Sequence, residues 1–410
     1  MTGGPSAGAA PHAAAATAGV AASLWAFEDE ACQQLAARHG TPCFAYRAAT
    51  ARAGWQRLRA ALAATPRLAS RTRIAYAVKA NPHPELLALL AGLGADFDCA
   101  SGGELSAAHA ARQGQRASPA TRLLYAGPGK RDEELALAVE LGARVQAESW
   151  EDLARLDALG AARNEVLTCN LRVHPAADIE EERAIIGGGG PSAFGVDEEQ
   201  APELLARAAK LRHVRLTGLH VFAASNQRDA AQLLAIHALV LDLARRLHQG
   251  RGLALEQIDL GGGLGVPYAA AESPLDVERW ASGLAAPCGV YLTRVVRTKT
   301  SRGTRFAVLE GGLNHLLRPL LTGQPFPVRR VEPHGPAAGA STVAPTCAPL
   351  GATTLAGPLC TSLDRLGEVP LPDDLARGDL LAFGMAGAYG ATEAMGRFLS
   401  HPLPAEVWID

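Results

Sequence analysis

The sequence is short of several things, and each shortage narrows what the chain can be. Its 41 acidic and 39 basic residues leave a formal net charge of −2, so no one-signed field draws in nucleic acid or a membrane surface. No apolar run reaches the length of a bilayer span. The seven cysteines, at positions 32, 43, 99, 169, 288, 347 and 360, include no C-x-x-C pair. That spacing and the odd total argue against a zinc site or a disulfide framework, and the expected compartment is a reducing cytoplasm. The first 23 residues contain no Lys or Arg and so lack the basic start of a secretory signal. Residues 1–24 are expected to form a disordered tail. Lysine is the scarcest charge: of 39 basic residues only four are lysines, Lys79, Lys130, Lys210 and Lys299.

What is present is a large apolar share, 48% of 410 residues, enough for one large domain and a smaller one. From about residue 72 short strand-like runs alternate with helical patterns, the signature of βα units. Seven strands are expected: 73–78, 95–101, 123–127, 144–149, 166–173, 216–223 and 257–262. Between them, "PELLALLAGLG" and "DAAQLLAIHALVLDLARRLHQG" repeat apolar residues at helical spacing. The expectation is an α/β barrel of the TIM type, with the eighth strand unaccounted for. After about Leu284 the pattern alternates like antiparallel strands, so a C-terminal β domain follows. The expected boundaries are 49–284 for the barrel and 285–410 for the β domain, with "TPCFAYR", inside 25–48, joining the later sheet.

Three lysines sit in turns or at a helix end, where solvated charge is their expected role. Lys79, in "YAVKANP", instead closes an apolar strand at the barrel mouth, where active sites of this architecture are built. An amine there can attack an aldehyde; the alternative is a lysine that snorkels to the rim. "IDLGGGLG" places Gly261, Gly262 and Gly263 after the seventh strand, where bare amides can approach a phosphate. His220 ends the sixth strand, with Ser225 shortly after. Such a histidine is often a packed core residue, but its ring can also stack on an aromatic cofactor. Amine, phosphate cradle and stacking ring together suggest pyridoxal phosphate.

The chain resembles the fold-type III pyridoxal phosphate decarboxylases, the diaminopimelate, ornithine and arginine decarboxylase group, over about residues 25–410. "YAVKAN" is similar to the cofactor-lysine motif, "FDCASGGEL" to the second-strand motif, "GLHVFAAS" to the stacking-histidine motif and "DLGGGLG" to the phosphate loop. "GPLCTSLD" resembles the segment that carries a cysteine across a dimer interface, and "AGAYG" the one whose tyrosine contacts the phosphate. The resemblance implies that Lys79 holds the aldehyde as a Schiff base, and that His220 stacks on the ring. It also implies that Ser225, Gly261, Gly262, Gly263 and Tyr389 hold the phosphate, while Cys360 returns the proton. It further implies a homodimer with shared active sites that converts an amino acid to an amine and carbon dioxide.

Two departures qualify the resemblance. The family's E-P-G-R motif, whose glutamate meets the ring nitrogen, is missing, as is room for its strand before the β domain. "VEPHG" at 331–335 has a Glu-Pro pair but lies downstream and is expected to be a decoy. Thr361 stands where diaminopimelate decarboxylases carry a glutamate, as in C-E-S. "GGGGPSAFGVD" (187–197), "HVFAAS" and "EGGLNH" resemble a branch acting on carrier-protein-tethered or siderophore-precursor amino acids. In that branch Asn314, His315 and Arg318 would lie near the substrate, and Thr361, in the glutamate's place, is also expected to face it; ordinary helix packing is the other reading of "NHLLRPLL". The alternatives are a racemase, which needs a tyrosine where "GPLC" offers a cysteine, and a cofactor-binding paralogue without turnover.

Overall fold

The computed structural model describes residues 26–63, 71–114, 121–176, 191–251, 253–268, 272–276, 289–322, 325–331, 349–384, 386, 391, 394–396 and 401–409. The expected tail at 1–24, Tyr389, the Glu-Pro pair of "VEPHG" and the segment 277–288 lie outside the described residues. Two compact units emerge, one of residues 55–266 and 275–284, the other of 1–54, 267–274 and 285–410.

The chain opens with helix α1 (Asp29–His39), strand β1 (Cys43–Arg47) and helix α2 (Ala48–Ala63). Strand and helix then alternate through β2 (Ala75–Ala77), α3 (Pro84–Gly92), β3 (Asp96–Cys99), α4 (Gly102–Gln113), β4 (Leu123–Tyr125), α5 (Asp132–Glu140) and β5 (Arg144–Ala147). The series continues with α6 (Trp150–Arg163), β6 (Leu167–His174), the short β7 (Val196–Asp197), α7 (Ala201–Ala208), β8 (Val214–His220), α8 (Ala230–Arg251) and β9 (Gln257–Asp259).

Local chemistry sets these boundaries. Ser101 and Ser149 cap α4 and α6 by accepting from the N–H groups of Glu104 (3.2 Å) and Asp152 (3.1 Å). Asn164, at φ 53°, ends α6 in the left-handed conformation that asparagine tolerates. Helix α8 buries Ile236, Val240, Leu243 and Leu247, spaced by three or four residues, against Leu171, Val173, Leu219 and Val221 of the strand side.

The sheet runs β2-β3-β4-β5-β6-β8-β9 with parallel neighbours, and β7 adds to β6. All seven expected strands are in it. Among the described residues nothing joins β9 to β2, so this is an incomplete TIM-like barrel.

The other unit is built on β1, β10 (Gly289–Ser301), β11 (Thr304–Leu309), helix α9 (Arg318–Thr322), β12 (Val328–Val331), β13 (Leu350–Ala356), β14 (Arg365–Pro372), β15 (Leu380–Phe383) and β16 (Ala405–Ile409). The strand order is β12-β15-β10-β11-β13-β14, with β1 pairing both β10 and β16. The sheet is mostly antiparallel; β1–β16 and β11–β13 are parallel, each pair joined by the long connection that parallel neighbours need. Arg302 and Gly303, at φ 50° and 82°, form the tight turn joining β10 to β11. Cys43, Ala45, Val290, Leu292, Leu380 and Ala382 pack as its core. Among the described residues no helix is long and apolar enough to cross a membrane, and no cluster of side chains could hold a metal ion.

Candidate active site

The C-terminal ends of the parallel strands carry the chemistry. Directly after β2, a single 3₁₀ turn, Val78–Ala80, presents Lys79, whose Nζ lies 5.5 Å from the Phe222 ring centroid. The turn is held from below: Tyr76 donates to the Asn81 carbonyl (3.1 Å), and Asn81 Oδ1 accepts from the His83 N–H (2.9 Å). The motif "YAVKANP" therefore places an amine and locks the backbone that bears it.

His220 closes β8, buried, with its Nδ1 sealed from water and without a hydrogen-bond partner. Burial holds the imidazole below its usual range, against the pull of Asp259, so the ring is neutral. Asp98 of β3 has a sealed, unpartnered Oδ1; burial, reinforced by Asp259 and opposed by Lys79, pushes its carboxyl up to about 7. Asp259 ends β9, accepting from the Gly261 N–H (2.9 Å) and from Gln146 Nε2 (3.3 Å). Asp98 and Asp259 went unremarked as site residues in the sequence reading, although each is an acid inside an apolar strand.

Gly261, Gly262 and Gly263 follow at φ 74°, 80° and 77°, three successive left-handed residues. A Cβ at Gly261 would strike the Val221 carbonyl and one at Gly263 the Ala224 carbonyl, whereas nothing lies within 4 Å of a Cβ at Gly262. The loop is fastened to the Ser225 segment, since Gln227 N–H donates to the Gly263 carbonyl (2.8 Å) and Val266 N–H to Asn226 Oδ1 (2.8 Å). Ser225 is half-buried beside it.

A buried ion network lies at the ends of β4, β5 and β6. Glu148 accepts from the Gly127 and Gly195 N–H groups (2.7 and 3.0 Å) and pairs with Lys130 and Arg172, each at 3.2 Å. Lys130 also pairs with Asp152 at 3.1 Å and donates to the Gly127 carbonyl. The expectation that Lys130 is a solvated turn charge is thus corrected: its side chain is 1% exposed, because three acceptors converge behind the turn. Lys210 and Lys299 are exposed, as expected.

In the other unit, Cys360 is exposed in the loop after β13, and Thr361 next to it is half-buried, its Oγ1 accepting from the Leu363 N–H (3.2 Å). The other four described cysteines, Cys32, Cys43, Cys99 and Cys169, are buried thiols. Asn314 is buried; its Oδ1 accepts from the Gly312 N–H (3.0 Å) and its Nδ2 is sealed without a partner. His315 engages both ring nitrogens within the protein, with Tyr291 Oη (3.0 Å) and the Pro402 carbonyl (2.9 Å), which leaves none for a substrate. Arg318 opens α9. Lys79, His220, Ser225 and the three glycines thus share one unit, and Asn314, His315, Arg318, Cys360 and Thr361 the other.

A family model described as pyridoxal-dependent decarboxylase, pyridoxal binding domain, matches residues 54–298. The chain is 35% identical over 390 residues to the diaminopimelate decarboxylase of Deinococcus radiodurans, covering 92% of each. It is 29% identical over 360 residues to the L-glutamyl-[BtrI acyl-carrier protein] decarboxylase of Niallia circulans, covering 80% of this chain and 81% of that one. Among solved structures, the Helicobacter pylori diaminopimelate decarboxylase complexed with L-lysine superposes with a TM-score of 0.78 at 25% identity, covering 92% of this chain and 94% of that one.

Proposed function

The chain belongs to the pyridoxal-dependent decarboxylases, and from that premise we propose that it releases the α-carboxylate of a diaminopimelate-like amino acid as carbon dioxide, with Lys79 holding the cofactor. It is a carboxy-lyase, and its cofactor is pyridoxal 5′-phosphate. The residues present fit that group: an amine at a strand end, a run of left-handed glycines with open space at Gly262, and a neutral imidazole with an unsatisfied Nδ1.

The observation that carries the reading is the gathering of Lys79, Asp98, His220, Asp259 and Gly261–263 at the ends of β2, β3, β8 and β9. Bound pyridoxal phosphate supplies a sink for the electron pair left when carbon dioxide departs. In this reading Lys79 binds the aldehyde and the amides of Gly261, Gly262 and Gly263 donate to the phosphate, assisted by Ser225 and Tyr389. His220, uncharged, offers a flat face to the ring without competing for its electrons. Cys360, carried across from a second protomer as the resemblance implies, would give its thiol proton to the carbon that lost the carboxylate. Asn314, Arg318 and Thr361 form the substrate set; His315 holds the loop through its two engaged nitrogens.

A second reading, decarboxylation of an amino acid tethered to a carrier protein, is favoured by Thr361. Its short neutral hydroxyl puts no charge where a free, doubly charged substrate would be read. Absorbance between roughly 330 and 430 nm, before and after borohydride, tests the common core. A long-wavelength band is expected in wild type and not in Lys79→Ala, with carbon dioxide released from meso-diaminopimelate. Release only from a carrier-loaded amino acid selects the second reading, and a Lys79-dependent band without release from either rejects decarboxylation of both.

A further inference from the structure

Strands β11 and β13 run side by side in parallel, and their ladder ends at the pair Val308–Ala356. Beyond it the two chains part into loops, 310–316 on one side and 357–364 on the other. What joins them there is a carboxylate. Asp364, 3% exposed, accepts from the Leu313 N–H through Oδ1 and from the Leu359 N–H through Oδ2, both at 2.7 Å. Its own carbonyl accepts from the Gly357 N–H at 3.1 Å. Two glycines make room for it: a Cβ at Gly312 or at Gly357 would collide with the Asp364 carboxylate, and one at Gly357 also with the Gly312 Cα. Backbone from both loops and one acid side chain therefore meet without a spare methyl's width.

Leu313 immediately precedes Asn314, and Leu359 immediately precedes Cys360. We propose that Asp364 is a positioning residue that extends the β11–β13 pairing past its last ladder bond and sets the spacing between the Asn314 loop and the Cys360 loop. The proposal deepens the decarboxylase reading above, on which the roles of those two loops rest. An acid suits the task because it offers two acceptors to two N–H groups that would otherwise be buried unpaired. Asparagine keeps the size but turns an NH₂ toward one of those N–H groups.

The test is hydrogen exchange followed by mass spectrometry on cofactor-loaded wild type, Asp364→Asn and Gly357→Ala, the last keeping the acid but filling its seat. Exchange at Leu313 and Leu359 is expected to accelerate together by about tenfold or more in Gly357→Ala, the loss of hydrogen bonds to a charged group, and at the one that meets the NH₂ in Asp364→Asn. Amides of β14 should keep their wild-type rates. Acceleration at only one of the two leucines in Gly357→Ala, or at neither in either variant, overturns the proposal. A general loosening is recognised separately, because it would raise exchange in β14 and lower the melting temperature.

Kinetics with meso-diaminopimelate supply the functional arm: kcat is expected to fall and KM to rise in Asp364→Asn while the Lys79-dependent absorbance band is unchanged. An unchanged kcat and KM despite paired acceleration also overturns the positioning role. Should wild type release no carbon dioxide from this substrate, the diaminopimelate reading fails and the paired exchange still decides whether Asp364 couples the loops.

Discussion

Asp98 and His220 pull the stability of the barrel unit in opposite directions as pH changes. Asp98 keeps its proton in the fold until about 7, whereas an aspartate in the unfolded chain loses it near about 4. Between those values the native state binds more protons, so raising the pH removes stability. His220 does the reverse: held below its usual range, it stays neutral while the unfolded chain takes up a proton below about 6.5, so lowering the pH removes stability. The two slopes oppose each other in the window just below about pH 6.5. In Asp98→Asn the melting temperature is expected to rise more steeply with pH across this window than in wild type; in His220→Asn it should fall with pH. Calorimetry in half-unit pH steps checks this, and two variants that track wild type would dismiss the coupling. Lys79, His220 and the glycines were legible as strand-end residues because side-chain type and position coincide there. Asp98, Asp259 and Asp364 were not, since an acid's burial depends on neighbours distant in sequence.

At the scale of elements, the turn that carries Lys130 is held by charge as well as by backbone. Removing that ammonium leaves Arg172 as the only cation paired with Glu148 among the described residues, and Arg155 as the only one paired with Asp152. Lys130→Met is expected to destabilise the protein by about 3–5 kcal/mol, as when one partner of a buried ion pair is removed. Lys210→Met, at an exposed site, should change stability by less than about 0.5 kcal/mol. Urea unfolding of the pair separates them, and equal midpoints would show that the network does not support the fold. The seven parallel strands were legible because each is a short apolar run between helical periods. Lys130 was misread because "GPGKRD" has the composition of an exposed turn, and only the fold shows three acceptors converging on it. The parallel pairings of β1 with β16 and β11 with β13 join segments separated by long connections, on which alternation within a strand is silent.

For the whole molecule, the homodimer that the resemblance implies makes a prediction that a monomer cannot. If Lys79 of one protomer works with Cys360 of the other, then Lys79→Ala and Cys360→Ala, each inactive alone, can form mixed dimers with one intact site. After unfolding and refolding together, equal amounts should recover about a quarter of wild-type carbon dioxide release, the share expected from random pairing in a two-fold dimer. No recovery, with mixed dimers confirmed by mass, would place both residues on the same protomer. The barrel class was legible from repetition alone; the eighth strand, expected to be missing, would fall before β10, where residues 277–288 lie outside the described residues.

Among the described residues the parallel run begins at β2 and ends at β9, and these two outer strands bear Lys79 and the glycine loop. No described ladder bond ties one of them to the other. A molecule that held the amine at one end and the cradle at the other would therefore stitch first strand to last, adding a tie that the described backbone does not supply.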